Sequence, residues 1–410
     1  MKKTGLFMAL LLGVLLWTLS AAAETAPDLT GECEFGLCAT TRKATSMTDG
    51  KYTTYWESKK IRNPYVTISS PQPVYGLYLC FRRMPESYEV QIRTGSEEDG
   101  TAGWETAVQG ETRFQHVFIP LNGEQSVRIY ATQETALQMG FNEIFVFGRG
   151  DVPDWVQRWE ETEDKADVMF VMAHPDDELI FLGGAIPYYD TQLEKRVVVA
   201  YLSWSNTTRR SEALNGLWSM GVRHYPEFGG FRDSYSTRAK DAYKKLGKDK
   251  VLSWLTGLYR KHRPEAVVTH DLNGEYGHGQ HKMTADACIQ CLTTAADPAA
   301  YPDAAPGSAP WQVKKLYVHL YGDETEQTRF DWTQPLSAFG GKTGLELAAG
   351  AYALHKTQEG AEVKIRGKWH KLSVEVTGAA YPNTAFGLYA SQVGPDETHT
   401  DFLEHIPAEE

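Results

Sequence analysis

From Cys33 to Gly148 the apolar positions fall in short alternating or β-branched runs, with turn residues every ten or so positions. The runs are Tyr65–Ser69, Tyr75–Cys80, Tyr88–Arg93, His116–Ile119, Val127–Tyr130 and Glu143–Phe147. A period of two without helical spacing predicts an all-β, antiparallel sandwich over residues 24–150. Gly150 to Asp154 then reads as a linker.

After Asp154 the texture changes. Ala166–Met172 and Arg196–Leu202 are continuous apolar runs, with a helix-length segment between them, Glu178–Tyr189, and another after them, Arg209–Met220. A long amphipathic stretch, Arg238–His262, leads into Glu265–Thr269, and Val313–Tyr321 makes a further strand. This alternation predicts an α/β, Rossmann-like fold over residues 154–410, with a mostly parallel sheet and helices on both faces. The C-terminal part offers a helix at Thr343–Lys356 and strands at Glu362–Ile365, Leu372–Val376 and Phe386–Ala390, a β extension of the same domain.

Residues 1–23 carry Lys2 and Lys3, an apolar run over 5–19 and the small residues Ala21-Ala22-Ala23, the pattern of a secretory signal peptide cleaved after Ala23. The apolar run falls short of the roughly 20 residues that span a bilayer. The mature chain is therefore expected to be secreted, without an integral membrane segment.

The chain has 410 residues, 42% of them hydrophobic, which is ordinary globular composition with room for two domains. Its 41 basic against 53 acidic residues set a formal charge of -12, and removing residues 1–23, with two Lys and no acid, takes this to -14. That balance disfavours nucleic acid or an anionic membrane as partner and suits a neutral or cationic small substrate, or a glycan. Of the five cysteines, Cys33 and Cys38 enclose a short loop that a disulfide is able to staple, whereas Cys288 and Cys291 read as small apolar residues of a helix.

Two clusters carry chemistry. Ala173-His174-Pro175-Asp176-Asp177-Glu178 stands where a strand gives way to a helix, the ligand-binding end of such a strand. His174 and Asp177, three apart at a turn, are able to converge on one metal while Asp176 points elsewhere in the same pocket. Acids at a helix start also cap free amides without any ligand. The second cluster, Thr269 to His281, holds three of the chain's 12 His within twelve residues, where an even spread would put about a third of one. The spacing His278-x-x-His281 suits either two ligands or one ligand and one acid.

These strings, with Arg209-Arg210-Ser211-Glu212 before Gly221-Val222 and Phe231-Arg232-Asp233, resemble the PIG-L or LmbE-like zinc-dependent de-N-acetylases over roughly residues 165–360. The resemblance implies hydrolysis of the acetamide of an N-acetylated amino sugar in a glycan or glycoconjugate. It implies zinc held by His174, Asp177 and His281, with Asp176 as general base, His278 as general acid and Tyr276 assisting the oxyanion. Arg209 and Asp233 match positions that face the sugar. Relatives often read His-Pro-Asp-His where this chain has His278-Gly279-Gln280-His281, so the carboxylate beside His278 is absent, and Gln280, Asp271 or Glu275 is expected to orient His278 instead. The sandwich, from Thr48-Asp49-Gly50-Lys51 through Tyr55-Trp56 to Asn142–Gly148, resembles a discoidin or F5/8 type C module, a kind that often binds carbohydrate. Two competing functions remain: a glycan-binding or adhesion protein with an inactive hydrolase-like domain, and a zinc hydrolase of another amide.

Overall fold

The computed structural model describes residues 24–40, 42–96, 98, 100–204 and 206–407. The expected signal peptide, residues 1–23, lies outside the described residues.

Seven strands, β1 (Glu34–Leu37), β2 (Trp56–Glu57), β3 (Tyr65–Arg83), β4 (Tyr88–Thr94), β5 (Gly103–Gln109), β6 (His116–Ala131) and β7 (Gly140–Phe147), pair antiparallel in the order β2-β7-β3-β6-β4-β5, with β1 on β3. Two pairs of runs that look separate in sequence are single long strands. Pro71 and Pro73 sit in a bulge of β3, between Ser69 and Val74, rather than in a turn. A bulge tolerates a residue that cannot donate to the ladder, and it bends the strand. The halves of β3 and β6 thereby enclose one apolar core with β7, including Val66, Ile68, Leu77, Leu79, Val127, Ile129, Ile144 and Val146.

The second sheet contains β8 (Val168–Met172), β9 (Val197–Ser203), β10 (Glu227–Phe231), β11 (Ala266–Thr269), β12 (Lys315–His319) and β13 (Gln327–Arg329). A separate hairpin, β14 (Glu362–Ile365) and β15 (Lys368–Lys371), precedes the last strand, β16 (Ala385–Ser391). The order is β10-β9-β8-β11-β12-β16-β13; the first five strands run parallel, and β16 is antiparallel to both its neighbours. Alternate residues of β8 feed two cores, Val168, Phe170 and Met172 on one face, Met169 and Val171 on the other. Burial on both faces is why the parallel strands read as unbroken apolar runs.

The helices are α1 (Asp177–Ile180), α2 (Ala185–Pro187), α3 (Thr207–Ser219), α4 (Ala239–Leu246), α5 (Lys248–His262), α6 (Gly279–Thr294), α7 (Gly344–Tyr352) and α8 (Val374–Ala380). The single helix expected over Glu178–Tyr189 is broken into α1, α2 and a π-helical turn. Gly183 has φ 58, and a Cβ on Gly184 would stand 2.7 Å from the Cα of Gly344, so backbone contact with the start of α7 decides this segment. The amphipathic stretch 238–262 likewise divides at Gly247, whose φ is 87. Leu372–Val376, expected as a strand, enters α8 instead: the Ser373 hydroxyl accepts from the Val376 N–H, and Thr377 Oγ1 donates to the Ile180 carbonyl at the end of α1.

All five thiols are free. Cys33 and Cys38 flank β1, and an extended chain of that length separates them by about 16 Å, whereas a disulfide needs Cα atoms about 4.4–6.8 Å apart. Cys288 and Cys291 are buried along α6.

The all-β part is docked on the first two turns of α3. Gln115 Nε2 donates to the Thr207 carbonyl (3.1 Å) and to Ser211 Oγ (2.8 Å), Thr208 Oγ1 donates to the Tyr52 carbonyl (3.1 Å), and Arg82 Nη1 donates to Thr207 Oγ1 (3.3 Å). No helix among the described residues is long and apolar enough to cross a membrane.

Candidate active site

The functional side chains gather at the carboxyl ends of the parallel strands, where open α/β sheets hold their ligands. His174, Asp176 and Asp177 follow β8, Asp233 follows β10, residues 270–281 run from β11 into α6, and His319 ends β12. His174, Asp176, Asp177, His270, Glu275, His278, Gln280, His281 and His319 are all buried.

Asp177 lies among three imidazoles, with His270 Nε2 3.2 Å from its Oδ2. Its Oδ2 accepts from the His174 N–H (2.7 Å) and stands 3.3 Å from His174 Nδ1; its Oδ1 stands 3.4 Å from His281 Nε2. The outer nitrogen of each ring is fixed. His174 Nε2 donates to Gln280 Oε1 (2.9 Å), and His281 Nδ1 donates to Glu275 Oε2 (2.7 Å). Donation at one ring nitrogen fixes the tautomer and leaves the other with a free lone pair. His281 Nε2 is buried and has no hydrogen-bond partner. The inner nitrogens of two imidazoles and one carboxylate thus face one another, the donor types of a catalytic zinc, so the residues present fit the metal.

Two overlapping trios have donor atoms within 4.8 Å of one another, His174 with His278 and His281, and Asp177 with His270 and His281. His270 is not a free donor, because the Ala173 N–H donates to its Nε2 (2.9 Å) while its Nδ1 is bonded to Glu275 Oε1 (3.1 Å). His278 closes the site, its ring 4.9 Å from that of His174 and 4.7 Å from that of His281, with Nδ1 unpartnered.

Asp176 has φ 110, a left-handed conformation that costs a non-glycine residue of order 1–3 kcal/mol and persists where its surroundings enforce it. Arg209 braces that turn, its Nη2 donating to the Pro175 carbonyl and to Asp176 Oδ1 (3.0 Å), while the Asp176 N–H donates to Glu178 Oε2 (3.0 Å). Arg209 was expected to face a sugar; its guanidinium is buried on the Asp176 turn, with Nε 4.0 Å from Glu212 Oε2. Glu212, its ion-pair partner along the helix, also accepts from Thr357. Asp233 is the more accessible of the two, its side chain 32% exposed and 3.4 Å from His174 Nε2. The Tyr276 ring is 5.8 Å from His278 and 5.3 Å from His281.

Electrostatics separate the two neighbouring aspartates. Burial, offset only in part by Arg209, pushes Asp176 up to about 7. Burial also works against ionisation of Asp177, but the His281 and His270 rings hold it well below the usual carboxylate range. Burial and the adjoining His281 and His174 rings push His278 down to about 3.

Neither Gln280 nor Glu275 orients His278, contrary to expectation. Gln280 serves His174 and also accepts from the Ser234 N–H (3.0 Å) while its Nε2 donates to Ser203 Oγ (2.9 Å). Glu275 serves His281 and His270, and lies 3.1 Å from His319 Nδ1. Asp271 accepts from Asn273 within its own turn. The sequence signal for Glu275 was its place inside the histidine cluster; His319, far along the chain, had none.

Residues 169–292 match the family model of GlcNAc-PI de-N-acetylase, PIG-L. The matched segment runs from β8 through nearly all of α6 and contains every residue of the site except His319. Over 201 residues the chain is 30% identical to the 1D-myo-inositol 2-acetamido-2-deoxy-alpha-D-glucopyranoside deacetylase 1 of Frankia casuarinae, covering 42% of this chain and 64% of that protein. The chain thus spans less than two thirds of that relative. Among solved structures, it is similar to N,N'-diacetylchitobiose deacetylase from Pyrococcus horikoshii (19% identity, TM-score 0.37, 47% of this chain and 71% of that one). It is also similar to a chitosan-binding module of a chitosanase/glucanase from Paenibacillus sp. IK-5 (19% identity, TM-score 0.26, 30% of this chain and 99% of that one).

Proposed function

We propose that the protein is a secreted, zinc-dependent N-deacetylase that hydrolyses the acetamide of an N-acetylated amino sugar in a glycan or glycoconjugate, with the discoidin-like module of residues 24–150 holding the enzyme on that glycan. The observation that carries the reading is the convergence of His174, Asp177 and His281 beside a strained Asp176 that is itself no part of the donor set. The PIG-L match over the same residues and the amino-sugar deacetylases among the relatives support the substrate class.

Zinc held by His174, Asp177 and His281 would supply Lewis acidity to water and to the amide carbonyl. Asp176, near 7 and aimed by Arg209, takes the proton of the attacking water, since a base is most effective when its pKa lies near the working pH. Burial and the Asp177 carboxylate keep the Tyr276 phenol protonated, so it donates to the developing oxyanion. His278 is neutral at rest, so it delivers to the departing amine the proton that Asp176 takes from the water rather than one it already holds.

The test uses residues 24–410 and measures zinc per chain together with acetate released from N-acetylglucosamine and N-acetylgalactosamine glycans, with and without chelator. Stoichiometric zinc and chelator-sensitive acetate are expected. Asp176→Ala should abolish turnover with zinc retained; surviving activity removes the base assignment. Glycan binding with neither zinc nor acetate would instead establish a lectin, and acetate or amine from non-sugar amides alone would establish a different amidohydrolase.

A further inference from the structure

The segment from Arg232 to Ser236 holds an aromatic ring at the mouth of the site for which the reaction above has no use. Tyr235 is 69% exposed, more than any other large hydrophobic side chain among the described residues, and its ring lies 5.3 Å from that of His278. A single exposed aromatic needs no explanation by itself; Tyr235 is informative because its ring stands against His278.

The segment is tied down on every side. Gln280 Oε1 accepts from the Ser234 N–H (3.0 Å) and Gln280 Nε2 donates to the Arg232 carbonyl (3.2 Å). The Gly279 N–H donates to the Ser236 carbonyl (2.7 Å), and Lys245 Nζ donates to the carbonyl of Tyr235 itself (2.6 Å). The same Gln280 oxygen holds the His174 ring (2.9 Å), so one side chain fixes both a metal-facing imidazole and the backbone that presents Tyr235. This gives the departure from the relatives' carboxylate a purpose: a carboxylate accepts from His174 and Ser234 but cannot donate to Ser203 and Arg232. Beside Tyr235, the Ser234 hydroxyl is buried without a partner.

His278 is the group that must reach the amide nitrogen, and that nitrogen stays with the sugar when acetate leaves. A ring beside His278 therefore faces the sugar side of the scissile bond rather than the acetyl side. A rigid aromatic face there complements the C–H face of a pyranose, with the ordering cost already met by the fixed backbone.

We propose that Tyr235 is a stacking platform for the sugar ring adjoining the reacting amino sugar, so that the enzyme prefers an oligosaccharide chain over a monosaccharide. This rests on the deacetylase reading. The test compares wild type, Tyr235→Ala and Tyr235→Phe as full-length 24–410 zinc proteins, measuring acetate release from the methyl glycoside of N-acetylglucosamine and from its β-1,4 tetramer. In Tyr235→Ala, kcat/KM on the tetramer should fall about two- to tenfold further than on the monosaccharide, through KM, and Tyr235→Phe should restore it. Equal losses on both substrates, or none on the tetramer, would overturn the proposal. If wild type releases no acetate from either, the deacetylase reading fails separately. Calorimetric titration of the tetramer into Asp176→Asn with and without Tyr235→Ala then decides: weaker binding without the ring upholds the platform, and equal or absent binding overturns it.

Discussion

Replacing Glu275 by Gln keeps the side chain's shape and removes a charge shared by three buried histidines, His270, His281 and His319. Glu275 Oε2 accepts from His281 Nδ1 at 2.7 Å, while Oε1 accepts from the Asp271 N–H at 3.0 Å and from His270 Nδ1 at 3.1 Å. His319 Nδ1 also stands 3.1 Å from Oε1, and the Asp271 N–H, His270 Nδ1 and His281 Nδ1 all donate to this carboxylate. The two imidazoles more than offset burial and hold this carboxyl well below its usual range, so it is ionised throughout the working pH range. A Gln at 275 has one oxygen and one NH2, and whichever way it turns, the NH2 meets a donor. If it faces His281, the ring loses its fixed tautomer and Nε2 no longer presents a lone pair. A hydrogen bond to a charged group is worth about 1.5–3 kcal/mol, and the groups bonded to the outer nitrogen of metal-ligating histidines typically carry 10- to 100-fold in metal affinity, about 1.4–2.7 kcal/mol. We expect Glu275→Gln to weaken zinc binding by that factor, measured by competition with a chromophoric chelator on protein whose fold is checked by near-UV circular dichroism. A folded variant that binds zinc within twofold of wild type would refute the reasoning, because Glu275 would then not set the orientation of a ligand.

Two further outcomes follow from the same geometry. Arg209→Met should release the strained Asp176 turn and lower kcat by about 10²-fold, the cost of a misplaced reacting group, while zinc per chain is retained; kcat within threefold of wild type would show that the turn holds without it. Away from the site, Glu227 accepts from His262 Nε2 (3.0 Å) and Lys261 Nζ (2.7 Å), which outweigh its burial and lower it from 4.5 to about 2. A depressed carboxyl stabilises the fold fully above pH 4.5 and loses that contribution as pH falls towards 2, so the Tm gap between wild type and Glu227→Gln should be widest near neutrality and shrink steadily below pH 4.5. A gap that does not narrow by pH 3 would show that the pair is not the cause.

Periodicity alone determined the change of architecture after Asp154 and the parallel run of β8, β9 and β11, because strands buried on both faces must be apolar at every position. It also located both chemical clusters, since strand ends in such a sheet are where ligands bind. The spacing of His174 and Asp177 is a local property, and the two do meet. Contacts between distant segments decided the rest. Whether Glu178–Tyr189 is one helix depended on room beside Gly344, and whether 65–83 is one strand or two depended on a bulge shared with β6. The roles of Arg209, Gln280 and Glu275 depended on which polar groups the fold brought within 3 Å of them, more than 30 residues away for Arg209 and more than 100 for the bond from Gln280 to His174. A buried hydrogen-bonding group must find a partner, but the chain does not state locally which one, and only the closed tertiary structure makes that choice.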